Sequence, residues 1–270
     1  MELGHIDGID PQARASWKAL FRETAQAMQD HCGNFITPIS RVADDDWGEL
    51  EGTGGYVEVA GKRLLITNEH VIRDFRTHQF THQFFECEDI FKLTAPLAIE
   101  AHPVDAAICA IGDAVWGYRP HTANVVPFKR FANRHQPVPG ELFFFAGYTK
   151  SRSKPLYKYL ESRATPLLTQ ELRAPYPADL HANHFMLSYP PARAESVDPR
   201  ITPNLPNADG LSGSLVWNSR RIESLMQGKQ WSPEMAQVTG LLCRVDTPTL
   251  SVLAIRIEIV LDFLKRHCGD

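Results

Sequence analysis

Residues 209–217 read Asp-Gly-Leu-Ser-Gly-Ser-Leu-Val-Trp, the stretch of the chain with the clearest chemistry. Ser212 stands beside Gly213 and two residues after Gly210, directly ahead of an apolar run that reads as a buried strand. Without a Cβ at 210 and 213, the backbone can bend until N–H groups point at one external atom. A serine on such a turn can attack a carbonyl carbon, while the N–H groups of Gly210 and Ser212 receive the oxygen that becomes negative. A hydroxyl needs a neighbouring imidazole to remove its proton, and that imidazole needs a group to orient it.

Among eleven histidines, His70 has the most telling setting, because it sits where the strand Arg63–Thr67 ends and a short helical turn can begin. Asp105 opens a second apolar run, Ala106–Ile111, where a carboxylate is costly unless it is hydrogen-bonded. It could face water, or it could orient a histidine and stabilise it when protonated. His78 and His82, four apart with Cys87 nearby, suggest zinc at first. No second ligand pair has matching spacing, so neither a metal nor any other cofactor is expected.

The elements that must position these groups read as follows. Pro11–His31 is helical, with Trp17, Leu20, Phe21, Ala25 and Met28 on one face, Asp10 as N-cap, Pro11 in the first turn and Gly33 as C-cap. After Asn34 the pattern becomes strand-like: Phe35–Val42, a solvated Asp44–Asp46 loop, then Tyr56–Val59 opened by Gly52-Thr-Gly-Gly55 and turned at Ala60-Gly61 into Arg63–Thr67. Pro137–Gly140 reads as a turn between two halves, followed by the strand Glu141–Ala146 and an exposed loop around Ser151, Ser153 and Lys154. Residues 190–207 form a long proline-rich loop, and 218–233 a polar excursion. The strand Ala236–Val245 and an amphipathic helix near the C-terminus complete the chain.

Composition narrows the class. Apolar content of 43% and charged content of 22% are those of a globular chain. A net charge of −4 offers no electrostatic attraction to nucleic acid or an anionic membrane, and no run approaches the ~20 apolar residues of a span. The start, Met-Glu-Leu-Gly-His-Ile-Asp, lacks a secretory signal, so the expected location is cytoplasmic. Five scattered cysteines without a Cys-x-x-Cys pair argue against a disulfide framework.

Taken together, Gly52-Thr-Gly-Gly, Leu65-Ile-Thr-Asn-Glu-His70-Val, Val104-Asp105-Ala-Ala-Ile and Gly210-Leu-Ser212-Gly-Ser resemble the trypsin-like serine peptidase superfamily, nearest its disulfide-poor bacterial branch with the HtrA-type enzymes. The resemblance covers about residues 35–260. It implies an all-β chymotrypsin-like fold of two packed antiparallel β-barrels, with an added N-terminal helix (1–33), a first barrel carrying His70 and Asp105 (34–136), a second carrying Ser212 (137–253) and a C-terminal helix (254–270). It further implies endopeptidase activity on a polypeptide substrate. Ser212 would be the nucleophile, His70 the general base then acid, Asp105 its orienter, and Gly210 and Ser212 the oxyanion hole. Pro206, Asn207 and Ala208 would line the base of the specificity pocket, with Cys243 and Val245 on a wall strand to which extended substrate pairs. No carboxylate stands at that base, so a small or medium apolar side chain is expected there.

Three residues depart from the family pattern. Leu211 replaces an aspartate, which argues against activation by N-terminal clipping. Ser214 replaces a glycine and offers a second hydroxyl, and Cys243 replaces a serine, leaving Asp105 one hydrogen bond fewer. A regulatory protein partner that orders the 190–209 loop is the expected restraint. Two other readings are a catalytically silent module of the same fold that binds a peptide or partner protein, and an α/β-hydrolase using Ser212, Asp246 and His267. The latter lacks the glycine its nucleophile turn needs at 214.

Overall fold

The computed structural model describes residues 10–44, 47–85, 87–156, 159–172, 176, 180–191, 194 and 205–269. Helix α1 (Pro11–Cys32) leads, its N-cap Asp10 accepting the Gln12 N–H at 3.1 Å. The first half then holds β1 (Ile36–Asp44), β2 (Trp47–Val59), β3 (Lys62–Thr67), the one-turn helix α2 (Glu69–Ile72), β4 (Phe80–Gln83), β5 (Ile90–Lys92), β6 (Pro96–Glu100), β7 (Ala106–Ala110), α3 (Asp113–Trp116) and β8 (Val126–Pro127). The second half holds β9 (Leu142–Leu156), β10 (Tyr159–Gln170), β11 (His184–Ser188), β12 (Leu215–Asn218), α4 (Arg221–Met226), β13 (Gln237–Asp246), β14 (Ser251–Arg256) and α5 (Ile257–Cys268).

Among the described residues the strands form two sheets, antiparallel except where β8 lies parallel on β2. The first runs β5-β4-β1-β2-β3-β7-β6 and the second β10-β9-β12-β13-β14-β11. The second curls into a half-barrel, bringing its edge strands together where Glu171 bridges Leu187 and the Leu172 N–H reaches the Met186 carbonyl at 2.9 Å. Antiparallel sheets of this kind are not the parallel sheet of an α/β-hydrolase. His267 of that reading is bonded instead to Glu100 at 2.8 Å.

Several boundaries differ from the sequence reading, each for a physical reason. Gly52–Gly55 lie inside β2 rather than opening it. A Cβ at Gly55 would stand 2.6 Å from the Leu215 side chain, so this glycine marks where the second sheet presses on the first. The hairpin turn is where it was expected, with Ala60 (φ 48°) and Gly61 (φ 72°) both left-handed, as a tight two-residue hairpin requires. The segment Ser151–Lys154 is strand and not loop, because β9 continues to Leu156 and pairs Ser153 with Ser162 on β10. The C-terminal helix begins at Ile257, since Ala254–Arg256 complete β14 between β11 and β13.

The polar excursion after Asn218 contains α4, which a distant carboxylate anchors. The buried Glu141 accepts the N–H groups of Ile222 and Glu223, each at 3.0 Å, at the open end of that helix. Residues 192–193 and 195–204 of the proline-rich loop, and Asp45–Asp46 of the acidic loop, lie outside the described residues. Among the described residues no helix is long and apolar enough to cross a membrane.

Helix α1 is more than an appendage. Met28 and Cys32 are fully buried in the main core, and His31 sits edge-on to Trp217, the last residue of the Ser212 stretch, at 6.2 Å between ring centroids. The zinc suggestion at His78 and His82 does not survive. His82 is buried, its ring set among Tyr56, Phe84 and Phe91, and its Nδ1 pairs with the Tyr56 hydroxyl at 2.8 Å.

That burial pushes the His82 imidazole down from 6.5 to about 4. The unfolded chain therefore takes up a proton below about pH 6.5 that the folded protein refuses until about pH 4. Stability should be complete above this window and fall by about 3 kcal/mol as pH drops through it. His31 and His184 are shifted the same way, chiefly by burial, and add to the trend. Melting temperatures measured from pH 7 to pH 4 should fall in the wild type and fall less steeply in His82→Gln. Equal slopes would remove His82 from the account.

Candidate active site

Strand β3 ends at Thr67, Asn68 turns the chain, and α2 follows at once. Val71 and Ile72 are buried as its anchors, which leaves the His70 side chain about one-third exposed. Asp105 meets it from the turn before β7, where Ala101 O accepts the N–H groups of both Val104 and Asp105 at 3.1 Å. The carboxylate receives His70 Nδ1 at 2.8 Å and 3.1 Å, and the His70 main-chain N–H at 3.2 Å. A carboxylate can only accept, so Nδ1 carries the ring proton and Nε2 offers its lone pair. Asp105 adopts φ 42°, a conformation aspartate tolerates better than most residues, and Asn68 Nδ2 holds its carbonyl at 2.8 Å.

The serine turn is fixed by backbone geometry. The Leu211 N–H reaches Ala208 O at 3.0 Å across a tight turn whose third residue, Gly210, has φ +100°, a value suited to glycine. Asp209 O accepts the Lys150 N–H at 2.9 Å. In a trans peptide the N–H points opposite to the carbonyl, so the Gly210 N–H is aimed away from Lys150. Among the described residues neither the Gly210 nor the Ser212 N–H has a hydrogen-bond partner. Leu211 is fully buried in one cluster with Phe143 and Phe145, so an apolar plug holds the turn.

Thr53 of β2 ties this turn to the first sheet. Its hydroxyl donates to Gly210 O at 2.9 Å and accepts the Tyr148 N–H at 2.8 Å, and its own N–H reaches Ser212 O at 2.8 Å. Thr67 in turn donates to the Thr53 carbonyl at 2.8 Å. A Cβ at Gly52 would stand 2.7 Å from Val71 and 3.1 Å from Ser212 O, so the neighbour of His70 and the backbone of Ser212 flank one point.

The Ser212 hydroxyl donates to Cys243 O at 3.2 Å, and among the described residues no hydrogen bond joins it to His70. Cys243 lies close enough to Asp105 that the carboxylate's charge, after burial, helps push its thiol well up. The thiol points to Leu253 O at 3.4 Å, so the missing serine hydroxyl is not replaced by sulfur on Asp105. The further donor to Asp105 is the His70 main-chain N–H. Ser214 is fully buried, with its hydroxyl on Leu211 O at 2.7 Å, and is no rival nucleophile.

The expected pocket residues are placed unevenly. Pro206 O accepts the Tyr189 hydroxyl at 2.8 Å, Asn207 Nδ2 donates to Asp209 Oδ2 at 3.0 Å, and Ala208 is buried in the second sheet's core. Val245 pairs with Val252 on one side only. The other edge of β13 has no strand partner beyond Leu241 among the described residues. Thr53, Asn68, Tyr148 and Lys150 were not singled out from sequence. Three of them act through backbone atoms or one hydroxyl, which leave no spacing signature.

Gly213 (φ +89°) lies against the Thr53 carbonyl, and a Cβ there would overlap that oxygen and the Thr67 hydroxyl. Gly213→Ala should therefore cost about 2 kcal/mol or more, from backbone strain and overlap together. Thr53→Val keeps the shape but leaves Gly210 O and the Tyr148 N–H unpaired, at about 1–3 kcal/mol. Chemical denaturation should rank wild type and Thr53→Ser above both variants, and a Thr53→Val as stable as wild type would dissolve the clamp. Compared with known proteins, the chain matches no family model and no curated sequence.

Proposed function

We propose that the chain is a serine endopeptidase of the chymotrypsin-like type. The observation that carries this reading is the Asp105 carboxylate on His70 Nδ1, with the Ser212 turn held beside it by Thr53 and Gly52. Strand order supports it. With the short edge strand β5, antiparallel on β4, and β8 set aside, the other six strands of the first sheet and the six of the second follow one order when read cyclically, 1-2-3-6-5-4 in chain sequence. Two copies of one barrel topology, the first giving His70 and Asp105 and the second Ser212, account for that order.

The chemistry follows from the groups present. An extended peptide pairs with the open edge of β13, and its N–H takes the Cys243 carbonyl that now receives the Ser212 hydroxyl. The displaced hydroxyl turns to His70 Nε2, which takes its proton as Oγ bonds to the peptide carbon. The carbonyl oxygen gains the electron pair and rests on the Gly210 and Ser212 N–H groups. When the C–N bond breaks, the imidazolium, steadied by Asp105, returns the proton to the leaving amine. Water then repeats the sequence on the acyl-enzyme.

A fluorophosphonate probe should label the wild type and Ser214→Ala but not Ser212→Ala. Asp105→Asn should slow labelling by up to about 10⁴-fold, since the wrong ring tautomer then faces the serine. The hydroxyl's present bond to Cys243 favours a silent, peptide-binding module as the second reading. Absence of labelling in a folded wild type would select it.

A further inference from the structure

Beside the catalytic pair lies a cluster of basic side chains that the reaction leaves unused. His102 precedes Asp105 by three residues in the same turn, and its ring centroid lies 5.9 Å from His181 and 6.1 Å from His184. His181 and His184 are 5.8 Å apart. His184 is only 7% exposed, yet among the described residues its Nδ1 makes no hydrogen bond of good geometry, the His181 backbone offering a weak one at best. A buried polar atom left unpaired is costly, and it indicates that something else completes the site.

Arg244 belongs to the same group. It pairs with Leu253 on β14, which pairs with Met186 on β11, and His184 lies two residues from Met186. Paired residues and their i±2 neighbours share a face, so Arg244 and His184 project from the same side of the sheet. Among the described residues the charged groups that act on His184 are His181, His102 and Arg244, all basic. Arg244 is exposed and makes no ion pair among the described residues, while the nearby Asp246 is engaged by Thr249.

A metal ion is the weaker occupant. Among the described residues no three histidine, cysteine or acidic side chains stand where they could hold one, and a guanidinium repels a cation. Imidazole N–H donors around a guanidinium suit a carboxylate, which can accept from several of them at once. The open edge of β13 indicates where it comes from. A peptide residue whose N–H bonds Cys243 O has its preceding neighbour opposite Arg244, with the side chain on Arg244's face.

We propose, on the basis of the peptidase reading, that the site selects an aspartate or glutamate at the substrate residue immediately before the one whose carbonyl is attacked. Arg244 is the principal contact, and His102, His181 and His184 close around the carboxylate.

The test uses peptidyl phosphonates Ala-Ala-X-Val, with X as Asp, Asn or Lys, against the full chain. A simple fluorophosphonate in parallel reports whether Ser212 is reactive at all, independently of X. Inactivation should be about tenfold or more faster with Asp than with Asn, slowest with Lys, and the Asp-to-Asn ratio should fall to near one in Arg244→Gln. If the fluorophosphonate fails to label, the peptidase reading falls alone. The acidic preference is then read from fluorescence anisotropy of labelled Ala-Ala-X-Val-Ala peptides on Ser212→Ala protein, where the same ratios apply. Equal response to Asp and Asn in the informative assay overturns the proposal. Binding of Zn²⁺ lost in His102→Ala, without acidic preference, overturns it also and assigns the cluster to a metal.

Discussion

The arrangement depends on one threonine. Thr53 leaves the first sheet's β2 with its hydroxyl, amide and carbonyl all committed: to Gly210 and Tyr148, to Ser212, and to Thr67. The bonds to Gly210, Tyr148 and Ser212 cross from the first half to the second, two of them ending on the turn that presents Ser212, while Thr67 braces Thr53 from within its own sheet. Two sheets packed only by apolar contact could slide or rotate, because hydrophobic attraction carries little direction. Hydrogen bonds do carry direction, and three crossing bonds on one residue fix the register between the half bearing His70 and the half bearing Ser212. The glycines follow from the same constraint. Gly55 and Gly213 lie where the two halves approach too closely for a Cβ, against Leu215 and Thr53 respectively, and Gly52 is enclosed by Val71 of its own half and the Ser212 carbonyl of the other.

Around this junction the burial is apolar and continuous. Trp217, the phenylalanines of two strands at Phe143–Phe145 and Phe185, and the anchors Met28 and Ile257 are each almost wholly removed from water. Side chains of this size contribute about 1.5–3 kcal/mol apiece. Several polar groups enter the interior with partners that specify position. Glu141 holds the start of α4, His135 is stacked on Phe185 at 3.8 Å with Nδ1 on Thr239 at 2.9 Å, and His82 is paired with Tyr56.

Much of the candidate site was legible from sequence because its chemistry is concentrated in rare residues at element ends. Gly210–Gly213, His70 and Asp105 combine unusual side chains with strand boundaries, and the hairpin turn at Ala60-Gly61 advertises itself in two residues. What could not be read depends on distant pairing. Thr53 resembles any threonine in a glycine-rich strand until Gly210 arrives 157 residues later. Lys150 contributes an amide, which every residue but proline possesses. Strand β9 runs through Ser151–Lys154 because β10 lies beside it, whereas local composition there favours a loop. Helix α4 is short and polar, and its anchor Glu141 is 81 residues away from Ile222.

Where backbone groups stay unpaired is itself informative. Amides and carbonyls near a packed core are nearly always satisfied, since leaving them dry and alone costs free energy. Here the neighbours of the serine turn are satisfied one after another: Leu211 N–H on Ala208, Gly213 N–H on Leu242, Ser214 N–H on Leu211, Asp209 O with Lys150. Among the described residues the Gly210 and Ser212 amides, between these, are left open, and the edge of β13 without a strand partner starts beside them at Cys243. Unpaired amides scattered over a surface would be matched by water without consequence. Two aimed outward beside a bonded imidazole and carboxylate, next to an open strand edge, are complementary to a peptide carbonyl and the chain that carries it. In the proposed reading the protein is therefore incomplete by the hydrogen bonds one extended substrate would supply.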